Sequence, residues 1–134
     1  MNRTHLERAA EAIVSGLGYA FAAVPDGRAP LAVAAYPAAL LAPLELRSVE
    51  GRKHGLATYG ATLRLMRDGA RTNPAGRREA AAALENDLLA VFAALADDER
   101  VVAVEQLTIR PEEGGPTHHA AIVQRAEARI ITCF

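Results

Sequence analysis

The stretch 56-LATYGATLRLMR-67 is the clearest structural signal in the sequence, because polar and apolar residues alternate along most of its length. Tyr59, Ala61, Leu63 and Leu65 fall on one side of an extended chain, and Thr58, Thr62, Arg64 and Met66 fall on the other. This pattern predicts a central strand that has one face in the core. The segment Glu50–Gly55 before it is rich in charged residues and glycine, which predicts a solvated turn.

Two stretches have helical rather than strand periodicity. Pro74 suits a first helical turn, and the stretch that follows, as far as Asp97, has one apolar stripe, consisting of Ala81, Leu84, Leu88, Val91, Phe92 and Leu95. Near the N-terminus, Thr4 and Glu7 have the spacing of a capping box. Apolar residues follow at helical spacing as far as Leu17, and Gly16 and Gly18 predict the end of that first helix.

Further strands are predicted on both sides of the long helix. Tyr19–Val24 and Leu31–Tyr36 flank the turn residues Pro25-Asp26-Gly27, which predicts a hairpin. After the helix, Val101–Ile109 is rich in β-branched residues, and Ala120–Phe134 has a core side and a polar side. A short half-buried strand containing Leu44, Leu46 and Ser48 is predicted before the central strand. The predicted order of helices and strands along the chain is therefore αβββ(β)αββ.

This order predicts the α+β class: one domain spanning residues 1–134, with a mostly antiparallel sheet and both helices packed on one face. A chain of 134 residues fits one domain, and about two thirds of its surface would be buried on folding.

Composition excludes several functional classes. Fifteen basic residues against sixteen acidic ones argue against a dedicated nucleic-acid or anionic-membrane binder. A single cysteine excludes an intramolecular disulfide framework. No apolar run is long enough to span a membrane, and the N-terminal residues resemble an amphipathic helix rather than a signal peptide, so we expect a cytosolic protein.

The sequence predicts no catalytic site, metal site or cofactor. His118 and His119 are adjacent on a predicted strand end, so they point to opposite faces and do not chelate one ion together. No spacing brings any two of Glu45, Glu50 and Glu105 together as an acid and base pair.

Two segments are candidates for an oligomer interface. Leu40 and Leu41 lie in a stretch bounded by Pro37 and Pro43, which we interpret as a loop whose leucines either face a partner or plug the core. The last strand would span about 50 Å if fully extended, which exceeds the roughly 36 Å diameter of a domain of this size. We therefore expect this strand either to bend or end early, or to extend beyond the domain and pair with a partner. Its polar side carries Arg125, Glu127 and Arg129.

The chain resembles the tail-terminator, or tail-completion, proteins of long-tailed phages and prophages. The resemblance is carried by the architecture, by Tyr36-Pro37 with the leucine-bearing loop, by Glu50-Gly51-Arg52 before the central strand, and by a final strand ending in Thr132-Cys133-Phe134. It implies a structural protein, not an enzyme, that assembles into a ring, commonly hexameric. Such a ring caps the tail tube and joins it to the head.

The resemblance also implies the partners and the location: the major tail tube protein and head-tail connector proteins, first in the bacterial cytoplasm and then in the virion tail. One alternative is another protein of the head-tail junction. The others are a regulatory adaptor that dimerises through the last strand, and a small-molecule-binding domain or enzyme with a pocket between sheet and helices.

Overall fold

Six strands form one sheet, and two helices pack on one of its faces. The structure, a computed structural model, describes residues 2–23, 35–51, 54–113 and 120–134. In chain order the elements are α1 (Asn2–Gly16), β1 (Ala20–Ala23), β2 (Ala38–Leu41), β3 (Glu45–Gly51), β4 (Gly55–Asp68), α2 (Pro74–Ala96), β5 (Val101–Glu113) and β6 (Ala121–Cys133). The predicted α+β class and the placement of both helices are confirmed.

The sheet has the order β1-β2-β4-β6-β5, and β3 pairs with the half of β4 that β2 leaves free. All pairs are antiparallel except β1 with β2. The central position of β4 follows from its long alternating sequence, which supplies pairing positions for three neighbouring strands. β6 pairs with β4 along its whole length, from Ala121 opposite Asp68 to Cys133 opposite Leu56.

The main core lies between the helices and one face of the sheet. Every second residue of β4, from Ala57 to Leu65, is buried there, as the alternation predicts. The apolar stripe of α2 packs against these residues through Leu84, Leu88, Val91, Phe92 and Leu95. From β6 the same core receives Ile122, Ala126, Ala128 and Ile130, so the predicted facing of the last strand is confirmed.

The helix boundaries differ slightly from the prediction. α1 already includes Asn2, so Thr4 lies inside the helix and the predicted capping box is wrong. The helix ends at Gly16, and Leu17, which the stripe included, is exposed. α2 begins where expected, because the Asn73 side chain accepts a hydrogen bond of 2.7 Å from the Gly76 amide.

The predicted hairpin after α1 is wrong in the described residues. β1 pairs in parallel with Ala38–Leu41, and Ala35 and Tyr36 are not in a strand. The remaining residues of the predicted second strand, 31–34, lie outside the described residues. The proline-bounded stretch, predicted as a loop, is itself strand β2.

β2 is compatible with its two prolines because they stand just outside it. The Pro37 carbonyl accepts a hydrogen bond from the Ala20 amide, and the Ala42 amide, before Pro43, donates to the Thr62 carbonyl. The four residues between them keep their own amide groups for the ladder. Proline therefore limits the length of this central strand without preventing it.

Strands β3 and β5 also differ from the prediction. β3 is exposed along its whole length rather than half buried. β5 continues four residues beyond Ile109, through Pro111, which an edge strand tolerates because no neighbour needs its amide. Between Glu105 and Thr108 the register shifts, and Gln106 adopts φ 53°, so β5 contains a bulge.

Side chains also tie the helices to the sheet and loops. The buried Tyr19 hydroxyl donates to Asp87 of α2 at 2.5 Å, and burial together with this carboxylate raises the pKa of Tyr19. His5 Nε2 donates to the Asp98 carboxylate at 2.7 Å, which joins α1 to the turn after α2. Burial favours a higher pKa for Asp98, but hydrogen bonds from the Arg100 amide and His5 outweigh it and lower the pKa.

Candidate functional site

The face of the sheet opposite the helices is divided into an apolar end and a charged end. At one end Ala38, Leu40, Met66, Ala121 and Val123 form a second, smaller buried cluster. The rest of this face is a groove of about 1140 Å³ that neither α1 nor α2 covers. We call this groove the charged face, and its ionisable residues are Arg47, Arg64, Arg110, Arg125, Arg129, Glu45, Glu112 and Glu127.

Strand register places three of these arginines side by side. Arg64 of β4 stands opposite Arg125 of β6, which stands opposite Arg110 of β5. Neighbouring strands lie about 4.8 Å apart, so the row is roughly 10 Å long. Like charges directly opposite each other destabilise a sheet. The arginine row, as we call these three residues, therefore requires compensation.

Two glutamates supply part of this compensation. Glu112 accepts from Arg64 Nε at 2.6 Å and lies 4.0 Å from an Arg125 guanidinium nitrogen. Glu127 forms an ion pair with the other end of the Arg125 guanidinium. Arg125 is thus held between two carboxylates, while its Nε is buried without an acceptor among the described residues.

The remaining arginines differ in their surroundings. Arg47 pairs with Glu45 at 2.8 Å on the exposed strand β3, and its side chain lies over Gly60, where a Cβ would come within 2.8 Å of Arg47 Nε. Arg110 and Arg129 are exposed, and neither forms an ion pair with a carboxylate in the described part of the chain. Positive charge is therefore in surplus, and it is accessible on β5 and β6.

The structure separates the predicted interface residues into two groups. Arg125, Glu127 and Arg129 lie together on the charged face, as the alternation of the last strand predicted. Leu40 and Leu41 are only 2 % and 4 % exposed, in the smaller and the main cluster respectively. Their side chains are buried within the chain because β2 is an internal strand, which agrees with the alternative in which these leucines fill the core.

Sequence reasoning did not assign Arg64, Arg110 and Glu112 to this site. Arg64 was placed on the polar side of its strand, but nothing in its spacing indicates Arg125 as its neighbour. The missing information is the register between β4, β5 and β6, which depends on a bulge that the sequence does not mark. Polar and apolar residues keep alternating after Ile109, as far as Glu112. This alternation is the one sequence signal that could have extended the predicted strand to Arg110 and Glu112.

Other candidate sites receive little support. His118 and His119 lie outside the described residues, and within the described ranges no three His, Cys, Asp or Glu side chains are grouped to hold a metal. Glu45, Glu50 and Glu105 are exposed on β3 and β5, and Glu45 pairs with Arg47.

Cys133 is free and exposed. None of the helices in the described residues is long and apolar enough to cross a membrane.

The space between sheet and helices is occupied by the main core, whose members are almost all aliphatic or aromatic. The groove lies on the other side of the sheet, on the charged face. No protein-family model matches the chain, and no curated protein matches it significantly.

Proposed function

We propose that this chain is a structural subunit that assembles into a ring in the tail of a phage or prophage, as the resemblance to tail-terminator proteins implies. The observation that carries the proposal is the charged face, a broad sheet surface that is left uncovered by both helices. An antiparallel sheet commonly leaves one face open to solvent, so the open face by itself does not indicate a contact. What favours a contact is the surplus of arginine on this face, because arginine is enriched at protein interfaces and complementary charges orient partners.

The edge of the sheet supports contact through this face rather than through strand addition. β5 is a long edge strand, and such edges invite pairing with a second chain. Its bulge at Gln106 and its proline at Pro111 both interrupt a continuous ladder. Subunits that joined edge to edge along all of β5 would lose hydrogen bonds at both positions.

The proposed role is that of a scaffold that caps the tail tube and joins it to the head, without catalysis. Its partners are further copies of the same chain, the major tail tube protein and the head-tail connector. The setting is the cytoplasm of the bacterial host during assembly, and afterwards the virion tail.

Gene context tests the phage assignment independently of any biophysics. The proposal predicts that genes for a major tail tube protein and a tape-measure protein stand beside the gene for this chain. A neighbourhood of metabolic genes alone would contradict the assignment.

The groove itself favours one alternative, a domain that binds a small anionic ligand through its arginines. This function needs polar groups that converge on a ligand, and five arginines line the groove. Native mass spectrometry of the purified protein tests it. A stoichiometric bound metabolite that is lost in Arg110→Ala would support this alternative over assembly.

A further inference from the structure

The arginine row places more positive charge in one place than the fold can balance by itself. Three guanidinium groups stand on adjacent strands, whereas two carboxylates, those of Glu112 and Glu127, pair with them. Arginines that stand directly opposite one another destabilise a sheet. The presence of these three arginines is explained if acidic groups of another chain pair with the guanidinium groups that have no carboxylate partner.

Between Arg78 and Arg100, part of the helical layer carries charge of the opposite sign. Residues 80–99 contain five acidic residues and no lysine, arginine or histidine. Two of them are engaged within the molecule, Asp87 with Tyr19 and Asp98 with His5. The other three, Glu85, Asp97 and Glu99, are exposed.

Glu85 lies at the middle of α2, and Asp97 and Glu99 lie in the turn after it, roughly 18 Å further along the helix direction. We call these three residues the acidic end of α2. Leu89, one turn of helix after Glu85, is 49 % exposed and adds an apolar contact to this surface. Exposed carboxylates on this helix are complementary in charge to the unpaired arginines of the groove. The two surfaces are on opposite layers of the molecule, so they cannot meet within one copy.

We propose that the charged face of one copy receives the acidic end of α2 of a second copy, with Arg110 and Arg129 pairing with Glu85, Asp97 and Glu99. This inference rests on the proposed self-assembly and names its two surfaces. Because the two surfaces differ, the contact is head-to-tail. Repeated contacts of this kind close into a ring when a whole number of copies completes a rotation of 360°. Guanidinium groups form bidentate pairs with carboxylates, which fixes the orientation of each contact.

The test reverses the charges of each surface separately. Assembly of each variant is then measured by light scattering and sedimentation equilibrium at low salt. Arg110→Glu with Arg129→Glu reverses the charged face, and Glu85→Arg with Asp97→Arg reverses the acidic end. Each pair should weaken assembly at least about tenfold, because it places like charges across the contact. The chain that carries all four substitutions should assemble again, since the two surfaces have exchanged signs.

Glu11→Arg with Glu79→Arg is the matched control, since it makes the same change of charge on α1 and at the start of α2, where both residues are exposed. This control should leave assembly within about twofold of wild type. Circular dichroism and thermal unfolding establish that every variant is folded before its assembly is compared.

Three results would overturn the inference. If wild type forms oligomers that neither reversal weakens, self-assembly stands and the assigned surfaces are wrong. If the arginine reversal abolishes binding to the tail tube protein but leaves self-assembly intact, the charged face serves that partner instead. If wild type is monomeric at every concentration, the proposed function itself fails.

Discussion

Thr132 is a polar residue inside the core, and it links three parts of the chain. Its hydroxyl donates to the Ala57 carbonyl at 2.8 Å and accepts from the Asn2 side chain at 2.9 Å, and the residue is fully buried. Asn2 also donates to the Cys133 carbonyl at 3.1 Å. The start of α1 is therefore held to the last strand by hydrogen bonds.

Thr132→Val should destabilise the fold by about 1–2 kcal/mol, because the change keeps the side-chain shape and removes both hydrogen bonds. Urea unfolding at pH 7 measures this loss. Thr108→Val, at an exposed position of β5, is the control and should change stability by less than about 0.5 kcal/mol. Equal effects of the two substitutions would show that the Thr132 hydrogen bonds contribute nothing.

Asp98 gives the fold a dependence on acid pH. Its pKa is below the ordinary value of 3.8, so the ionised carboxylate stabilises the folded protein above that pH, and the contribution is lost as the pH falls through the lowered pKa. Asp98→Asn should therefore cost about 1–2 kcal/mol at pH 7, and its difference from wild type should shrink below pH 3.8.

Urea titrations between neutral and acid pH test this prediction. Glu11→Gln replaces an exposed acid that forms no ion pair among the described residues, and serves as the control. A difference between Asp98→Asn and wild type that stays constant as the pH falls would mean that the pair with His5 does not hold the carboxylate ionised.

The sequence predicted correctly those helices and strands that have a periodic pattern within their own residues. β4, α2 and the facing of β6 each have long alternating or helical patterns, and all three are found as predicted. β2 was missed because four residues between prolines show no period, and its place depends on partners elsewhere in the chain. The arginine row was missed for the same reason, since register is a relation between strands.

The two faces of β6 are best compared at two adjacent isoleucines. Ile130 is 2 % exposed in the main core, whereas Ile131 is partly exposed on the opposite face. Ile130→Lys should cost about 3 kcal/mol or more, because it buries an unpaired charge. Ile131→Lys should cost about 1 kcal/mol, since its ammonium group can reach water.

Thermal and urea unfolding of both variants measure the difference, and the two chains are matched in composition and net charge. Should Ile131→Lys prove as destabilising as Ile130→Lys, the assignment of a core face and an open face to this strand would be wrong.

The whole molecule is nearly neutral, with a formal net charge of -1, but its charges are segregated. The charged face has five arginines and three glutamates, while residues 80–99 in the helical layer carry only acids. Overall composition gives the near-zero balance but does not reveal where the charges lie, because the groups come from strands and helices distant in sequence.

The mass of the protein in solution tests the central claim, that this chain assembles with itself through its charged surfaces. Light scattering across a concentration series should give one discrete oligomer at low salt, with a mass that is a whole multiple of 14.2 kDa. That mass should fall as salt is raised toward about 1 M, where charges are screened beyond roughly 3 Å. A monomer at every concentration, or an oligomer whose mass is indifferent to salt, would contradict the account.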